Sequence, residues 1–199
     1  KTIKKLISEA DILIENFKVG GLLKYGLDFN SLSKINPKLI YCSITGFGQT
    51  GPYSHRAGYD YIIQGMSGLM SITGEPDGQP QKMGVAVTDI LTGLYGVTAI
   101  LSAIIQRDKT GRGQHIDLAL LDVATSVTAN QAMNYLTTGT VPKRMGNGHQ
   151  NLAPYQVFDC NDGYIIIATG NDAQYQRLCA VLELDEMASN KLFLKTYGL

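Results

Sequence analysis

The fold is decided by the stretch Leu39-Ile40-Tyr41-Cys42-Ser43-Ile44, which runs into the glycine-rich segment from Gly46 to Gly51. An uncharged run this short, rich in apolar residues and closed by glycine, is typical of a strand that is buried on both faces of a parallel sheet. The run Ile12-Leu13-Ile14, which follows a helical pattern, predicts a second strand of this kind. Alternation from Gln114 to Leu121 predicts a third.

Helices alternate with these strands along the chain. This order predicts an α/β fold, a Rossmann-like open parallel sheet with crossover helices. After Pro154 the pattern changes to a hairpin around Asn161-Asp162-Gly163 and then a helix that starts at Asp172. We therefore expect part of a large α/β domain over residues 1–136, a linker and lid loop over 137–153, and the start of a smaller α+β domain over 154–199.

The charge balance excludes several classes of partner. The chain has 17 basic and 17 acidic residues and a formal net charge of +0, so no basic field exists to hold nucleic acid or a membrane surface. The three cysteines, Cys42, Cys160 and Cys179, are too scattered for a disulfide framework or a metal site. We expect an intracellular protein, cytoplasmic or, in a eukaryote, mitochondrial. Because the chain starts at Lys1 without methionine, we also expect it to be a piece of a longer protein.

The loop Gly46-Phe47-Gly48-Gln49-Thr50-Gly51 matches the dinucleotide fingerprint G-x-G-x-x-G letter for letter. That fingerprint requires a helix that opens within the motif and holds a pyrophosphate at its N-terminus. Pro52 follows directly here and Gly58 interrupts again, so the sequence does not predict a nicotinamide cofactor. The loop still ends a parallel strand, which is where ligands of open α/β sheets bind.

The stretch Gly84-Val-Ala-Val-Thr-Asp89 delivers one carboxylate to the start of an uncharged segment, Ile90 to Gln106. The segment predicts a core helix that is buried on most sides. Asp89 would then sit at the helix start, where free backbone N–H groups and the helix dipole stabilise an anion. The residues alone favour a simple N-cap for Asp89, since aspartate is among the preferred cap residues. Asp122 is predicted to cap a later helix that runs to about Tyr135.

Six motifs in this order resemble the class III CoA-transferase family, which includes formyl-CoA, carnitine and succinyl-CoA:glutarate transferases and α-methylacyl-CoA racemase. They are Glu15-Asn-Phe17, Tyr41 to Pro52, Arg56-Ala-Gly-Tyr-Asp60, Ser67 to Gly74, the Asp89 stretch and Lys109 to Gln114. The segment from Tyr41 to Gly74 is most similar to the glutarate type. Members of this family are longer at both ends and form interlocked homodimers, so the resemblance implies a homodimer and missing terminal parts.

The resemblance implies that Asp89 is the nucleophile. It would take the acyl group of an acyl-CoA, such as succinyl-CoA, and pass CoA to a carboxylic acid through an aspartyl-CoA thioester. CoA is then a substrate, and no permanently bound cofactor is expected. The acid acceptor stays open.

The resemblance also assigns the binding residues. It implies contacts to CoA from Asn16, Phe17, Lys18, Lys24, Arg56 and Tyr59, an acidic neighbour of the nucleophile at Asp60, and a lid over the intermediate formed by Gly146, Gly148, His149 and Gln150. Without it, Asn16 and Phe17 are simply residues at a strand end and the lysines are solvated.

Two other functions are possible. The racemase branch of the family needs a histidine as acid and base, and that position is occupied here by Tyr59. Phenols, with an ordinary pKa of about 10, are poor bases at neutral pH. A non-catalytic acyl-CoA-binding protein is the second alternative.

Overall fold

The computed structural model describes residues 2–190 and 192–194 of the chain. It divides into two compact units. The first contains the residues up to Ile72 together with Pro80–Pro142. The second contains Thr73–Gln79 and the residues from Lys143 onward.

The first unit is built on a parallel sheet. Strands β1 (Ile12–Glu15), β2 (Ile40–Thr45) and β3 (His115–Ala119) lie in the order β1-β2-β3, and both neighbouring pairs are parallel. Cys42 of the central strand pairs with Ile14 on one side and Ile116 on the other. The predicted fold class, an α/β chain with a parallel sheet, is confirmed.

The described residues of the first unit form six α-helices. Their bounds are α1 (Thr2–Ile7), α2 (Phe29–Leu32), α3 (Asp60–Met66), α4 (Val87–Thr110), α5 (Leu120–Ser126) and α6 (Ala129–Thr138). Of these, α4 and α5 pack on the strands. Short 3-10 turns lie at Leu23–Tyr25 and Met70–Ile72. The helix α3 does not begin until Asp60, so no helix opens within the glycine motif that ends at Gly51, as the sequence predicted.

Two apolar clusters flank the sheet. One groups Ile7, Leu32, Leu39 and Tyr41, and the other groups Ile63, Leu120 and Ala124. The second cluster is the one that fixes α3 and α5 against the end of β2, because Ile44 and Phe47 pack on it. Apolar burial of this kind contributes about 25 cal/mol per Å².

The expectation that α4 is buried on most sides was wrong. Its buried residues are small: Thr88, Thr92, Gly96 and Ala103. Its large aliphatic side chains are exposed, at 55–59% for Ile90, Leu94, Val97, Leu101 and Ile105. Small residues allow the helix axis to approach the sheet closely, and Leu118 lies 3.2 Å from a Cβ built on Gly96.

Length and hydropathy make α4 the one helix, among the residues that the structure describes, that could cross a membrane. This is weak evidence, since core helices of other proteins share both properties. The helix packs on β2, β3 and α5 of the first unit. Its last turn is tied to the start of β1 by an ion pair, with 2.9 Å between Arg107 Nη1 and Asp11 Oδ1.

The helix that was predicted to run from Asp122 to about Tyr135 is two helices. The first, α5, begins at Leu120, so Asp122 lies inside its first turn and is not the cap; the capping position is Ala119. The break falls before Ala129, which has a positive φ of 46°. The cap prediction failed because the strand was predicted to run to Leu121, whereas β3 ends at Ala119 and α5 begins at Leu120.

A close backbone contact brings the glycine loop against the start of α3. A Cβ built on Gly46 would lie 2.5 Å from the Cα of Gly58, a distance that real side chains do not reach. The same loop is held from β3, because the backbone N–H of Gln49 donates to both carboxylate oxygens of Asp117 at 3.1 and 2.9 Å. Glycine at position 46 therefore allows residues 58–60 to reach the end of β2.

The second unit is built on an antiparallel hairpin, β4 (Tyr155–Cys160) with β5 (Gly163–Ala168), followed by α7 (Asp172–Val181) and α8 (Asp185–Ser189). The predicted hairpin and helix are thus present. Asn171 caps α7 by accepting from the N–H of Gln174. The loop Thr73–Gln79 joins this unit through Arg144, whose Nη2 donates to the carbonyl of Gly78 at 2.8 Å.

We predict that Gly46→Ala lowers the thermal stability of the full-length protein, because the new methyl group overlaps the backbone of Gly58. The expected cost is of the order of 1–3 kcal/mol, as for other overpacked sites. Gly65→Ala, where a Cβ meets only Met70 Sδ at 3.7 Å, is the matched control and should be neutral or slightly stabilising. Equal melting temperatures for the two variants would contradict the close contact.

Candidate active site

The carboxyl ends of the three parallel strands meet at one edge of the sheet, and a pocket of about 460 Å³ opens there. Asn16 to Val19 follow β1, Thr45 and Gly46 end β2, and Leu120 follows β3. The loop from Ser54 to Tyr59 forms a further wall, and the first turns of α4 complete it with Asp89, Thr92 and Gly93. This is the location at which open α/β sheets bind ligands.

Most of the site residues named from the sequence lie in this pocket. Its lining includes Asn16, Phe17, Lys18, Arg56, Tyr59, Asp60 and Asp89. Lys24 is not among the lining residues; its Nζ lies 4.9 Å from the centre of the Tyr25 ring. The lid residues Gly146, Gly148, His149 and Gln150 belong to the second unit, and their part in the site stays a prediction.

The start of α4 is capped by a side chain from another helix. The residue at the N-cap position, Ala86, offers no side-chain cap. Instead Asp60 Oδ1 accepts from the backbone N–H of Thr88 at 2.8 Å and from its hydroxyl at 2.6 Å. Asp89 is therefore not the cap of this helix. It is a first-turn residue that directly follows Thr88, the residue held by the carboxylate of Asp60.

The other oxygen of this carboxylate is also bound. Gln64, one turn further along α3, donates from Nε2 to Asp60 Oδ2 at 2.7 Å. The amide oxygen of Gln64 accepts from the backbone N–H of Met83 at 2.9 Å, in the segment that leads to α4. Sequence reasoning missed Gln64 and Thr88. The only available signals were the spacing of four residues from Asp60 to Gln64 and the adjacency of Thr88 to Asp89.

The two carboxyl groups are shifted in opposite directions. Burial by itself would raise the pKa of Asp60, but the hydrogen bonds from Thr88 and Gln64 outweigh it, and the pKa lies below its ordinary value of 3.8. Burial raises the pKa of Asp89, and the negative charge of Asp60 raises it further. Because Asp89 stays exposed at the pocket opening, solvent screening limits the size of this shift.

This electrostatic arrangement corrects one expectation. The backbone N–H groups at the start of α4 were expected to stabilise the anion of Asp89, but three of the four in the first turn already have partners. The N–H of Val87 donates to the carbonyl of Val85, that of Ile90 to the carbonyl of Ala86, and that of Thr88 to the carboxylate of Asp60. The start of the helix therefore stabilises the anion of Asp60 and not that of Asp89, and the pKa of Asp89 rises.

A second pocket of about 270 Å³ adjoins the first and shares Lys18 and Val19 with it. Its wall includes His115, which is stacked on Phe29 with 5.1 Å between ring centres and lies 2.9 Å from Ser43 Oγ through Nε2. These contacts give His115 a structural role between β2 and α2.

The other two histidines have different surroundings. His55 lines the first pocket, and His149, in the second unit, accepts from the N–H of Asn151 through Nδ1 at 3.0 Å. Among the described residues no group of three or more histidine, cysteine or acidic side chains could hold a metal ion.

The sequence matches the family described as CoA-transferase family III over residues 1–197. The chain belongs to this family. The resemblance drawn from the six motifs is thereby confirmed. Two relatives are similar over nearly the whole of this chain. The succinate–glutarate CoA-transferase of Agrobacterium fabrum is 60% identical over 96% of this chain, and the succinyl-CoA:glutarate CoA-transferase of Homo sapiens is 44% identical over 97% of it.

A solved structure agrees with this assignment. The crystal structure of a CAIB/BAIF family protein from Brucella suis has a TM-score of 0.82 and 62% identity, and covers 96% of this chain. The chain spans about half the length of these relatives: 48% and 44% of the two CoA-transferases and 50% of the Brucella protein.

We predict that Asp60→Ala destabilises the full-length protein by about 1 kcal/mol at neutral pH, as loss of a helix cap does. A carboxyl whose pKa is lowered by folding adds stability above its unfolded value, here near 3.8, and that stability is lost as the pH falls through the folded value. The difference in melting temperature between wild type and variant should thus shrink below pH of about 4. A difference that is constant from pH 3 to 7 would contradict the ionised cap.

Proposed function

We propose that the full-length protein is a CoA-transferase that moves CoA from an acyl-CoA to a carboxylic acid, with Asp89 as the covalent nucleophile. The observation that carries this proposal is the place of Asp89. It lines the pocket at the carboxyl edge of the sheet together with Asp60, Asn16, Phe17 and Lys18. Membership of CoA-transferase family III supports the reaction class.

The proposed chemistry needs only a carboxylate and the thioester. An Asp89 oxygen attacks the acyl carbonyl carbon and the C–S bond breaks. CoA leaves as a thiolate, and the acyl group stays on Asp89 as a mixed anhydride. The thiolate then attacks the carbonyl carbon of Asp89, which breaks the anhydride C–O bond and releases the first acid as a carboxylate. An incoming carboxylate attacks the aspartyl-CoA thioester, and the same steps in reverse give the new acyl-CoA.

The environment of Asp89 suits this role. A nucleophilic carboxylate must be ionised, yet a higher pKa makes it a stronger nucleophile. Burial and the charge of Asp60 raise the pKa of Asp89 in that direction. The hydrogen bonds of Asp60 lower its pKa against the effect of burial. Asp60 therefore keeps its negative charge.

Positive side chains in the same pocket support binding of an anionic substrate. Lys18 lines both pockets and can meet phosphates of CoA from either one. Arg56 lines the first pocket and stacks over the ring of Tyr53 at 4.3 Å, which limits its rotamers. We propose that the thioester end of CoA enters the first pocket and that its nucleotide end lies toward Lys18 and the exposed ring of Phe17.

The acids exchanged are proposed from the relatives. Their names give succinate and glutarate, so we propose succinyl-CoA as donor and a dicarboxylate as acceptor. From the family resemblance we further propose a homodimer, and from the few scattered cysteines an intracellular location, cytoplasmic or, in a eukaryote, mitochondrial. Testing a panel of carboxylates against succinyl-CoA identifies the acceptor.

We predict that Asp89→Asn abolishes CoA transfer, with a loss of at least about 10³-fold in kcat, because an amide is not a nucleophile. The variant should remain folded. Removing a carboxyl whose pKa is raised by folding removes a penalty that acts above its unfolded value, so the melting temperature at pH 7 should be equal or slightly higher. Peptide mapping after incubation with succinyl-CoA and hydroxylamine should find Asp89 modified in the wild type and the corresponding peptide of the variant unmodified.

The same assays separate the alternatives. Exchange of an α-proton of a 2-methylacyl-CoA with solvent, without transfer of CoA, would establish the racemase and overturn the transferase. Tyr59, which occupies the position of the racemase histidine, is 72% exposed. If neither reaction occurs but addition of CoA raises the melting temperature, the protein is an acyl-CoA-binding protein.

We predict that Lys18→Ala raises KM for the acyl-CoA by about 10-fold with little change in kcat, because a phosphate contact far from the thioester binds ground state and transition state alike. Lys34→Ala, an exposed lysine that lines neither pocket, is the matched control and should leave KM unchanged. Equal KM values for both variants and the wild type would place CoA elsewhere.

A further inference from the structure

Gln64 is a buried polar side chain that lies outside the pocket lining and beside its carboxylates. It is 1% exposed, yet it lies on α3 within one turn of Asp60. Both ends of its amide are used: Nε2 donates to Asp60 Oδ2 at 2.7 Å, and Oε1 accepts from the N–H of Met83 at 2.9 Å. Burying an amide is favourable only where both ends are paired, as they are here.

The second observation concerns how the charge of Asp60 is held. Among the described residues the ion pair found is Arg107 with Asp11, and Asp60 takes part in none. Its two oxygens accept neutral donors only: the backbone and hydroxyl of Thr88 on one, the amide of Gln64 on the other. A cation at this point would cancel the field of Asp60. Neutral donors fix the carboxylate and leave its charge to act on Asp89.

We propose that Gln64 is a positioning residue for the transfer reaction: it locks the carboxylate of Asp60 onto the first turn of α4 and so sets the place and the ionisation of Asp89. Its catalytic consequence rests on the function proposed above. The chemistry requires an amide. A glutamate would set two carboxylates 2.7 Å apart, and an aliphatic residue would leave Asp60 Oδ2 and the N–H of Met83 without this partner in a part-buried place.

Other groups also face the pocket and enter the pH dependence. Lys18, His55, Arg56 and Tyr59 line it together with the two carboxylates. They are unchanged by substitution at position 64. A change in pH dependence that appears when Gln64 is substituted, and disappears when Asp60 is neutral, therefore reports the link between these two side chains alone.

The first test compares Gln64→Met with wild type in the full-length protein. Without the donor, Asp60 binds a proton more readily and titrates together with Asp89, so the acidic limb of kcat/KM should move up by about half a pH unit and become steeper. Activity at neutral pH should fall about 3- to 10-fold because the first turn of α4 is less firmly held. Thr88→Val, which loses the 2.6 Å hydroxyl bond, should shift the limb in the same direction, and Thr88→Ser should restore it.

The matched control is Ile63→Val, a substitution at the neighbouring residue, which is 0% exposed and packs in the apolar cluster with Leu120 and Ala124. It should cost stability without moving the acidic limb. A Gln64→Met variant that loses activity equally at every pH, as a general packing defect would, overturns the proposal.

A second measurement does not require activity. The loss of melting temperature caused by Gln64→Met should be large at pH 6 and shrink toward pH 3 as Asp60 is protonated, while the loss caused by Ile63→Val should not depend on pH. In an Asp60→Asn background the pH dependence of the Gln64→Met effect should disappear. Its persistence there would show that Gln64 acts without Asp60. If the wild type transfers no CoA, the function proposed above fails, and this thermal cycle still decides whether Gln64 controls Asp60.

Discussion

The site depends on one carboxylate, that of Asp60, which joins two helices. It accepts both the backbone and the hydroxyl of Thr88 at the start of α4, and so supplies the cap that Ala86 cannot. Because Asp89 is the next residue, the bond that caps this helix also places the proposed nucleophile. Structure and electrostatics are therefore coupled at a single group.

The same bond explains why the helix dipole does not dominate the behaviour of Asp89. The N–H groups that would stabilise its anion are occupied by Asp60 and by carbonyls of the preceding turn. Two effects act on Asp89, burial and the negative charge of Asp60, and both raise its pKa. A carboxylate made less stable as an anion in this way is better suited to attack a carbonyl carbon than one that is held by several hydrogen bonds.

Local patterns predicted much of the architecture, since strand and helix periods are properties of short segments. The parallel strands around Cys42, the hairpin at Asn161-Asp162-Gly163 and the helix at Asp172 were all found where predicted. Predictions failed where a partner distant in the chain decides. Asp122 was taken as a cap because β3 was predicted to run to Leu121, whereas α5 begins at Leu120, and α4 was expected to be buried because its composition is apolar, although only its small residues face the sheet.

By itself the sequence determined the order of the helices and strands, the family and a list of candidate side chains, because each of these can be recognised from motifs that are contiguous in the chain. Only the tertiary structure decided how the candidates act on one another. The contact of Gly46 with Gly58 brings Asp60 to α4, and Gln64 and Thr88 then bind its two oxygens. The hydrogen bond between Asp60 and Thr88 joins residues that are 28 positions apart in the chain, so it depends on angstrom-level packing that no local periodicity encodes.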